Sequence, residues 1–313
     1  MQTWKRGALW SLAAIALLAV AASGTNLLGQ SSGDASRPAA PAVNKSWPEV
    51  NLNVVVLDKQ GAPQTIDEQK FQLFEDGSER PLEFRTTADS PVSVALLIDT
   101  SGSMYNRRGS ITATVNAIVK GLPSSSEVMV ISFNETAYVN LRFTPVAQAD
   151  FSFLSRLDTR GGTALFDTIV ATEKYFAAHA RYARRAIVLL SDGGDNASHL
   201  ALGAAIRSLQ WPGAPTFYSF LLPPTFVSGA ETRHDKLAIE NLAKAGGGVA
   251  LTPKEEDFAP AVTRLADMIR SQYVLTFTAA DPARDGNAHK LEVRLPVKDV
   301  QIHALPVYYA PAQ

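Results

Sequence analysis

The feature that most constrains the fold is the apolar run VSVALLI at residues 92–98, which lacks the alternation of a half-exposed strand. A strand with apolar side chains on both faces must be covered on both faces, as in a parallel sheet between two layers of helices. Strand and helix patterns then alternate along the chain. The sequence therefore predicts an α/β domain over residues 91–271, with a Rossmann-like, mostly parallel sheet and helices on both faces.

The hydrophobic periodicity places the elements of this domain. Gly246-Gly247-Gly248 marks the end of one helix, because glycine commonly follows a helix C-terminus. We predict strands over residues 92–98, 128–133, 137–143, 186–190, 216–221 and 249–251, and helices over 110–120, 164–179, 200–209, 233–245 and 257–270.

The segments on both sides of this region have β patterns. On the N-terminal side, strands are predicted at 51–57, at 71–75, where Asp76-Gly77 is a hairpin signal, and at 81–84. On the C-terminal side they are predicted at 273–278, 289–295 and 300–308, with a turn at 282–286. Neither set of strands is large enough for an independent domain. We expect the N-terminal β segment (48–90) and the C-terminal β segment (272–313) to meet in one small β-sandwich.

The N-terminus has the pattern of a targeting segment. Lys5 and Arg6 precede an apolar run over residues 8–22, and small residues follow it. We interpret residues 1–24 as a cleaved signal peptide, with an uncleaved N-terminal anchor as the alternative, and residues 25–47 as a flexible linker. Both interpretations predict that the rest of the chain is exported, to the periplasm or to the outside of the cell.

Composition and motifs argue against several functions. Lys plus Arg (29) nearly balances Asp plus Glu (30), so no charge excess indicates binding to nucleic acid. The chain has no cysteine, which excludes disulfides, thiolate metal sites and cysteine nucleophiles. The α/β region contains no Gly-x-Ser-x-Gly elbow, zinc-protease motif or phosphate-binding loop ending in Lys. We therefore expect no enzymatic activity and no catalytic residue.

Five residues with oxygen-bearing side chains are predicted at one edge of the sheet: Asp99, Ser101, Ser103, Thr163 and Asp192. The first three follow the strand at 92–98, the threonine begins a helix, and the last aspartate follows the strand at 186–190. In open α/β sheets, ligands bind beyond the carboxyl ends of the strands, where loops converge. Hard oxygen donors favour Mg²⁺, Mn²⁺ or Ca²⁺ over zinc.

Neutral hydroxyls dominate this set, so a bound Mg²⁺ would remain electron-poor and have room for a carboxylate from outside the chain. The pattern therefore indicates a docking site for an acidic group. Asp195 and Asn196 could add oxygens near Asp192, although a polar turn explains them equally well.

The order, spacing and strand context of the five residues resemble the metal-ion-dependent adhesion site of the von Willebrand factor A domain family. The resemblance extends over residues 91–271. It implies that Ser101 and Ser103 bind the metal directly, that Thr163 binds it in the ligand-gripping state, and that Asp99 and Asp192 often act through water. The sequences around Glu75-Asp76-Gly77 and Tyr273-Val274-Leu275 are similar to those of bacterial exported proteins with this domain.

Two functions follow from this resemblance. The first is a non-enzymatic adhesion or protein-binding module of the cell envelope, which grips an Asp or Glu carboxylate of a protein or peptide partner through the metal. The alternative is a structural or assembly subunit of an envelope complex, in which the metal only stabilises the loops. Contact with the membrane is expected only through the possible N-terminal anchor.

Overall fold

The computed structural model describes residues 49–84, 90–222, 231–279 and 286–310. The predicted signal segment and linker, and all but the last residue of the turn predicted at 282–286, lie outside the described residues. Within the described ranges, no helix is long and apolar enough to cross a membrane.

The described part of the chain contains fourteen strands and five α-helices. The strands are β1 (Glu49–Asp58), β2 (Gln72–Glu75), β3 (Ser78–Arg80), β4 (Glu83–Phe84), β5 (Ser93–Asp99), β6 (Glu127–Phe133), β7 (Ala137–Pro145), β8 (Arg185–Ser191), β9 (Thr216–Leu221), β10 (Ala250–Leu251), β11 (Tyr273–Thr278), β12 (Ala288–Arg294), β13 (Val300–Ala304) and β14 (Val307–Tyr309). The helices are α1 (Arg108–Gly121), α2 (Leu165–His179), α3 (Leu202–Ser208), α4 (Glu231–Ala245) and α5 (Phe258–Arg270).

The central sheet has six strands in the order β10-β9-β8-β5-β6-β7. Every pair is parallel except β6 with the edge strand β7. Strand β5 lies inside the sheet, and all seven of its residues are buried. The prediction of a mostly parallel sheet is therefore confirmed.

Helices cover both faces of this sheet, as the apolar run in β5 predicts. Val94, Leu96 and Ile98 point into one apolar core, which also contains side chains of α1 and α5. Ala95 and Leu97 point into a second core, which contains side chains of α2, α3 and α4. Burial of one such Val, Leu or Ile side chain stabilises the fold by about 1.5–3 kcal/mol.

The flanking strands form two further four-stranded sheets, as predicted for a small sandwich. Their orders are β13-β1-β11-β4 and β14-β12-β2-β3, so each sheet combines strands from before and after the α/β region. Side chains of both sheets share a third apolar core, which includes Leu52, Leu73, Leu275 and Leu291. The two ends of the described chain are thus parts of one structure.

Strand β1 connects this sandwich to the α/β region, because it is buried on both sides. Val54 and Val56 belong to the sandwich core, whereas Val55 and Leu57 belong to the core of β5, α1 and α5. Side chains alternate along a strand, so a strand between two cores needs an apolar residue at every position. This explains the unbroken apolar sequence VVVL at 54–57.

The prediction of one strand over residues 300–308 is wrong. The structure divides this segment into β13 and β14, which lie in different sheets. Leu305 and Pro306 separate the two strands, and Leu305 is buried in the sandwich core. Proline has no N–H for a sheet ladder and restricts the residue before it, so the strand ends there.

The hairpin at Glu75-Asp76-Gly77 attaches the N-terminal strands to the C-terminal ones. The fully buried Glu75 carboxylate accepts hydrogen bonds from the Tyr308 hydroxyl and, at 2.8 Å, from Arg80 Nε. The Asp76 carboxylate accepts from the backbone N–H of Lys290 at 2.8 Å. The two acidic side chains of the motif therefore hold residues that follow 233 and 214 positions later in the chain.

Candidate metal centre

The first predicted site residue, Asp99, ends β5 and is completely buried. Its Oδ1 accepts a hydrogen bond from the Ser101 backbone N–H at 2.8 Å, and its Oδ2 accepts one from the Ser191 hydroxyl at 2.6 Å. Burial raises the pKa of Asp99 to about 6, against the lowering effect of these hydrogen bonds. The carboxyl group is thus held in one orientation at the end of the strand.

A row of side-chain oxygens continues from Ser101 to Asp192. Ser101 Oγ lies 3.1 Å from Ser103 Oγ, and the Ser103 hydroxyl donates to Asp192 Oδ1 at 2.9 Å. Ser101 is buried, Ser103 is exposed, and Asp192 is partly exposed. Burial raises the pKa of Asp192, and the hydrogen bond from Ser103 acts in the opposite direction. The row therefore runs from the protein interior to the solvent.

The loop of Thr163 lies against the loop of the two serines. The Gly102 N–H donates to the Gly161 carbonyl at 3.0 Å, and the Arg160 N–H donates to the Thr100 carbonyl at 2.9 Å. Thr163 itself is buried, two residues before α2 begins. The structure thus joins four of the five predicted residues by hydrogen bonds and places the fifth on the adjacent loop.

The chemistry of these side chains fits a hard divalent cation. Two carboxylates and three hydroxyls supply only oxygen donors, which Mg²⁺, Mn²⁺ and Ca²⁺ prefer. In the part of the chain that the structure describes, no group of three or more His, Cys, Asp or Glu side chains could hold a metal ion. A cation at this edge of the sheet would therefore depend on the serine and threonine hydroxyls.

Comparison with known families identifies the α/β region. Residues 94–194, which include all five side chains, match the sequence model of the von Willebrand factor type A domain. Residues 94–194 therefore have the sequence pattern of a von Willebrand factor type A domain. The match begins in β5 and ends just beyond Asp192, so it contains the three loops described above.

The solved structures with similar folds include one protein that is named for this domain and two other bacterial proteins. A von Willebrand factor type A protein from Catenulispora acidiphila is 16% identical, with a TM-score of 0.49 over 85% of this chain and 64% of its own. The conserved hypothetical protein BatB from Bacteroides thetaiotaomicron is 20% identical, with a TM-score of 0.44 over 57% of this chain and 100% of its own. An aerotolerance-related membrane protein from Bacteroides fragilis is 19% identical, with a TM-score of 0.42 over 57% of this chain and 98% of its own.

Similarities of this size carry no function from one protein to another, and the family assignment rests on the match over residues 94–194. No curated protein matches the chain.

Sequence reasoning missed Ser191, the last residue of β8 in the von Willebrand factor type A domain. Besides donating to Asp99, the Ser191 Oγ accepts a hydrogen bond from the Gly193 backbone N–H at 3.2 Å. The contact follows from the order of the strands in the sheet, which the residues around Ser191 do not show. Strands β5 and β8 are parallel neighbours with Ile98 opposite Leu190, so the next residues, Asp99 and Ser191, also meet.

The sequence left two interpretations of Asp195 and Asn196 open, and in the structure both side chains bond to backbone groups near the start of α2. Asp195 Oδ2 accepts a hydrogen bond from the Phe166 backbone N–H at 2.9 Å, in the first turn of α2. Asn196 Oδ1 accepts one from the Thr163 backbone N–H at 2.8 Å. These two side chains therefore bind the segment around Thr163 instead of adding oxygens beside Asp192.

Proposed function

We propose that this protein is a non-catalytic, metal-dependent binding module of the cell envelope. Asp99, Ser101, Ser103, Thr163 and Asp192 would hold a divalent cation, Mg²⁺ or one of its substitutes Mn²⁺ and Ca²⁺. The cation would supply a Lewis-acidic position for a carboxylate of a protein or peptide partner. The observation that carries this proposal is the row of oxygens that leads from buried Asp99 to exposed Ser103 at one edge of the sheet.

The exposure of Ser103 favours a site that binds a partner and argues against a closed, purely structural metal site. A structural site surrounds its ion with protein ligands, whereas a docking site must keep one side open. Ser103 faces solvent and its hydroxyl bonds to the partly exposed Asp192. A carboxylate from outside could therefore approach from that side.

The contacts between the loops argue against the alternative of a metal that only stabilises them. Direct main-chain hydrogen bonds already join Gly102 to Gly161 and Arg160 to Thr100. Ser103 also bonds directly to Asp192 on the third loop. Because hydrogen bonds within the chain already hold these loops together, a cation is better explained as a ligand that binds a partner protein or peptide.

Export is part of the same proposal and rests on the sequence of the first 24 residues. A basic start, an apolar run over residues 8–22 and small residues after it are typical of secretory signals. The module would then work in the periplasm or outside the cell, either released or held by its N-terminal segment. Proteinase accessibility of the full chain in intact cells and in spheroplasts measures this location.

The proposal is tested by capturing partners from a cell-envelope extract. The full chain is immobilised and incubated with extract in Mg²⁺ or in chelator, and an Asp99→Ala variant serves as the control. A partner that is retained only in Mg²⁺, only by the wild-type chain, and released by an excess of an acidic peptide supports the proposal. A protein that is retained equally in chelator, or equally by the variant, contradicts it.

The non-catalytic part has its own test. We expect no turnover of generic ester, peptide or phosphate substrates with Mg²⁺ present. Turnover that disappears in a Ser101→Ala variant would show that the protein is an enzyme.

A further inference from the structure

The backbone around Thr163 is held from two sides by side chains of other loops. The Gly162 N–H donates to Glu135 Oε1 at 3.1 Å, from the turn between β6 and β7. The next N–H, that of Thr163, donates to Asn196 Oδ1 at 2.8 Å, from the loop after β8. Two consecutive backbone donors therefore end on side-chain oxygens from two different loops.

Asn196 binds Thr163 at two points. Its side chain accepts the Thr163 N–H, and its own backbone N–H donates to the Thr163 carbonyl at 3.0 Å. The Ala197 N–H donates to the same carbonyl at 3.1 Å. Both backbone polar groups of Thr163 are thus bonded to the loop that carries Asp192, four residues before Asn196.

The same loop is also fixed to the start of α2. Asp195 accepts hydrogen bonds from the Phe166 N–H at 2.9 Å and from the Ser198 hydroxyl at 2.5 Å. The Ser198 oxygen accepts one from the Asp167 N–H at 3.0 Å. These bonds satisfy backbone donors that the first turn of a helix leaves unpaired. The loop cannot shift along α2 without breaking them.

Gly162 permits the close approach of Asn196. A Cβ atom at this position would lie 2.7 Å from Asn196 Oδ1 and 3.1 Å from Ala197 Cβ. Any other residue would push the Asn196 side chain away from the Thr163 N–H. The glycine before Thr163 therefore belongs to the same contact.

We propose that Asn196, with Glu135 bonded to the preceding N–H, is a positioning residue that fixes Thr163 relative to Asp192, so that these two metal-site residues move as one unit. This inference rests on the proposed function and concerns how its site is organised. The geometry predicts that loss of the Asn196 side chain weakens metal binding only through Thr163.

The first test needs no metal. Hydrogen exchange of the Thr163 amide is measured in the metal-free full chain for wild type, Asn196→Ala, Asn196→Asp and Ser198→Ala. We expect exchange to become at least about fivefold faster in Asn196→Ala, because the amide loses its acceptor. Asn196→Asp keeps an acceptor and should restore slow exchange. Ser198→Ala removes one attachment of the same loop to α2 but leaves the Asn196 contact, so it should accelerate exchange much less than Asn196→Ala.

Two outcomes of this exchange experiment would overturn the inference. One is unchanged exchange of the Thr163 amide in Asn196→Ala. The other is equal acceleration in Ser198→Ala, which would show a general loosening of the loop.

The second test is a double-mutant cycle read by Mn²⁺ binding, with electron paramagnetic resonance of the free ion as the signal. In the wild-type background we expect Asn196→Ala to weaken Mn²⁺ binding about fivefold, the equivalent of one lost hydrogen bond. In a Thr163→Ala background the same substitution should change binding less than about twofold. An equal factor in both backgrounds would refute positioning through Thr163, and so would no change in either.

The two proposals can fail separately. Absence of Mn²⁺ binding in the wild-type chain would remove the proposed function, while amide exchange would still decide whether Asn196 fixes Thr163. Normal Mn²⁺ binding with unaltered exchange in Asn196→Ala would leave the proposed function intact and overturn only the positioning role.

Discussion

The substitution Tyr308→Phe tests how the two ends of the chain are joined in the sandwich. It removes one oxygen, the hydroxyl that donates to the buried carboxylate of Glu75, and keeps the ring in the core. Water cannot replace this donor, because Glu75 has no exposed surface. The substitution therefore isolates a single contact between β2 and β14.

The contacts of Glu75 determine how much stability the Tyr308→Phe variant should lose. A hydrogen bond to a charged group contributes about 1.5–3 kcal/mol, and a buried acceptor that loses its donor retains its full desolvation penalty. Glu75 still keeps its bond to Arg80 Nε at 2.8 Å, so the loss falls toward the lower half of this range. We expect a decrease of about 2 kcal/mol in the free energy of unfolding, or a fall of about 4–8 °C in Tm.

The assay is urea unfolding of the full chain, followed by tryptophan fluorescence and circular dichroism. Tyr309→Phe is the matched control, because Tyr309 neighbours Tyr308 on β14 and its ring lies beneath the Arg207 guanidinium. We expect the midpoint to shift for Tyr308→Phe with an unchanged slope, and hardly to shift for the control. A loss below about 0.5 kcal/mol, or an equal loss in both variants, would refute this account of the contact.

Three further predictions concern stability and the site. Burial raises the pKa of both Tyr218 and Tyr308 above the usual 10.0. The contribution of these two tyrosines to stability should therefore be complete below pH 10 and be lost as pH rises above it, and the loss should be less steep in Tyr308→Phe. Equal slopes for wild type and variant in pH-dependent Tm scans would contradict this. Gly248→Ala would place a Cβ 2.1 Å from the Phe217 carbonyl oxygen, so we expect a loss of about 1–3 kcal/mol in urea unfolding. Gly203→Ala, where the Cβ meets nothing within 4 Å, should cause no loss, and an equal loss in both variants would contradict this reason. Ser191→Ala removes a donor to Asp99 and should weaken Mn²⁺ binding about fivefold or more in calorimetry; unchanged affinity would mean that the orientation of Asp99 does not matter.

The sequence predicted the α/β region well because its strands are long and apolar. The buried strand β9 begins and ends at the predicted residues, and β5 and β8 lie within one residue of their predicted bounds. Such periodic segments depend little on the rest of the fold. The prediction for residues 300–308 failed because the chain passes from one sheet to the other at Leu305-Pro306. This change of sheet depends on the sandwich core, to which residues distant in sequence contribute.

The glycines at 246–248 have a packing role that the sequence around them does not predict. They were predicted only to end a helix, and α4 does end at Ala245. The structure adds that a Cβ on Gly247 would lie 2.4 Å from the Leu305 backbone nitrogen. This requirement comes from the C-terminal strands packing against the turn, which no pattern within residues 246–248 contains.

The candidate site was predicted as five residues, and the structure adds the contacts that hold them. The serines, the threonine and the two aspartates follow from strand ends and a helix start, which the sequence marks. The roles of Ser191 and Asn196 depend on which loops are neighbours in space. The neighbours of each loop are set by the order of the strands in the sheet, in which β8 lies beside β5. The sequence predicts this strand order only through the family resemblance.

Direct binding of Mn²⁺ to the full chain tests the central claim most closely. Isothermal titration calorimetry compares the wild type with Asp99→Ala and with Asp158→Ala, which removes an exposed carboxylate from the loop before Thr163. We expect one site per chain in the wild type and in Asp158→Ala, from which excess Mg²⁺ displaces Mn²⁺, and no such site in Asp99→Ala. Failure of the wild type to bind, or equal binding by Asp99→Ala, would contradict a metal centre at the end of β5.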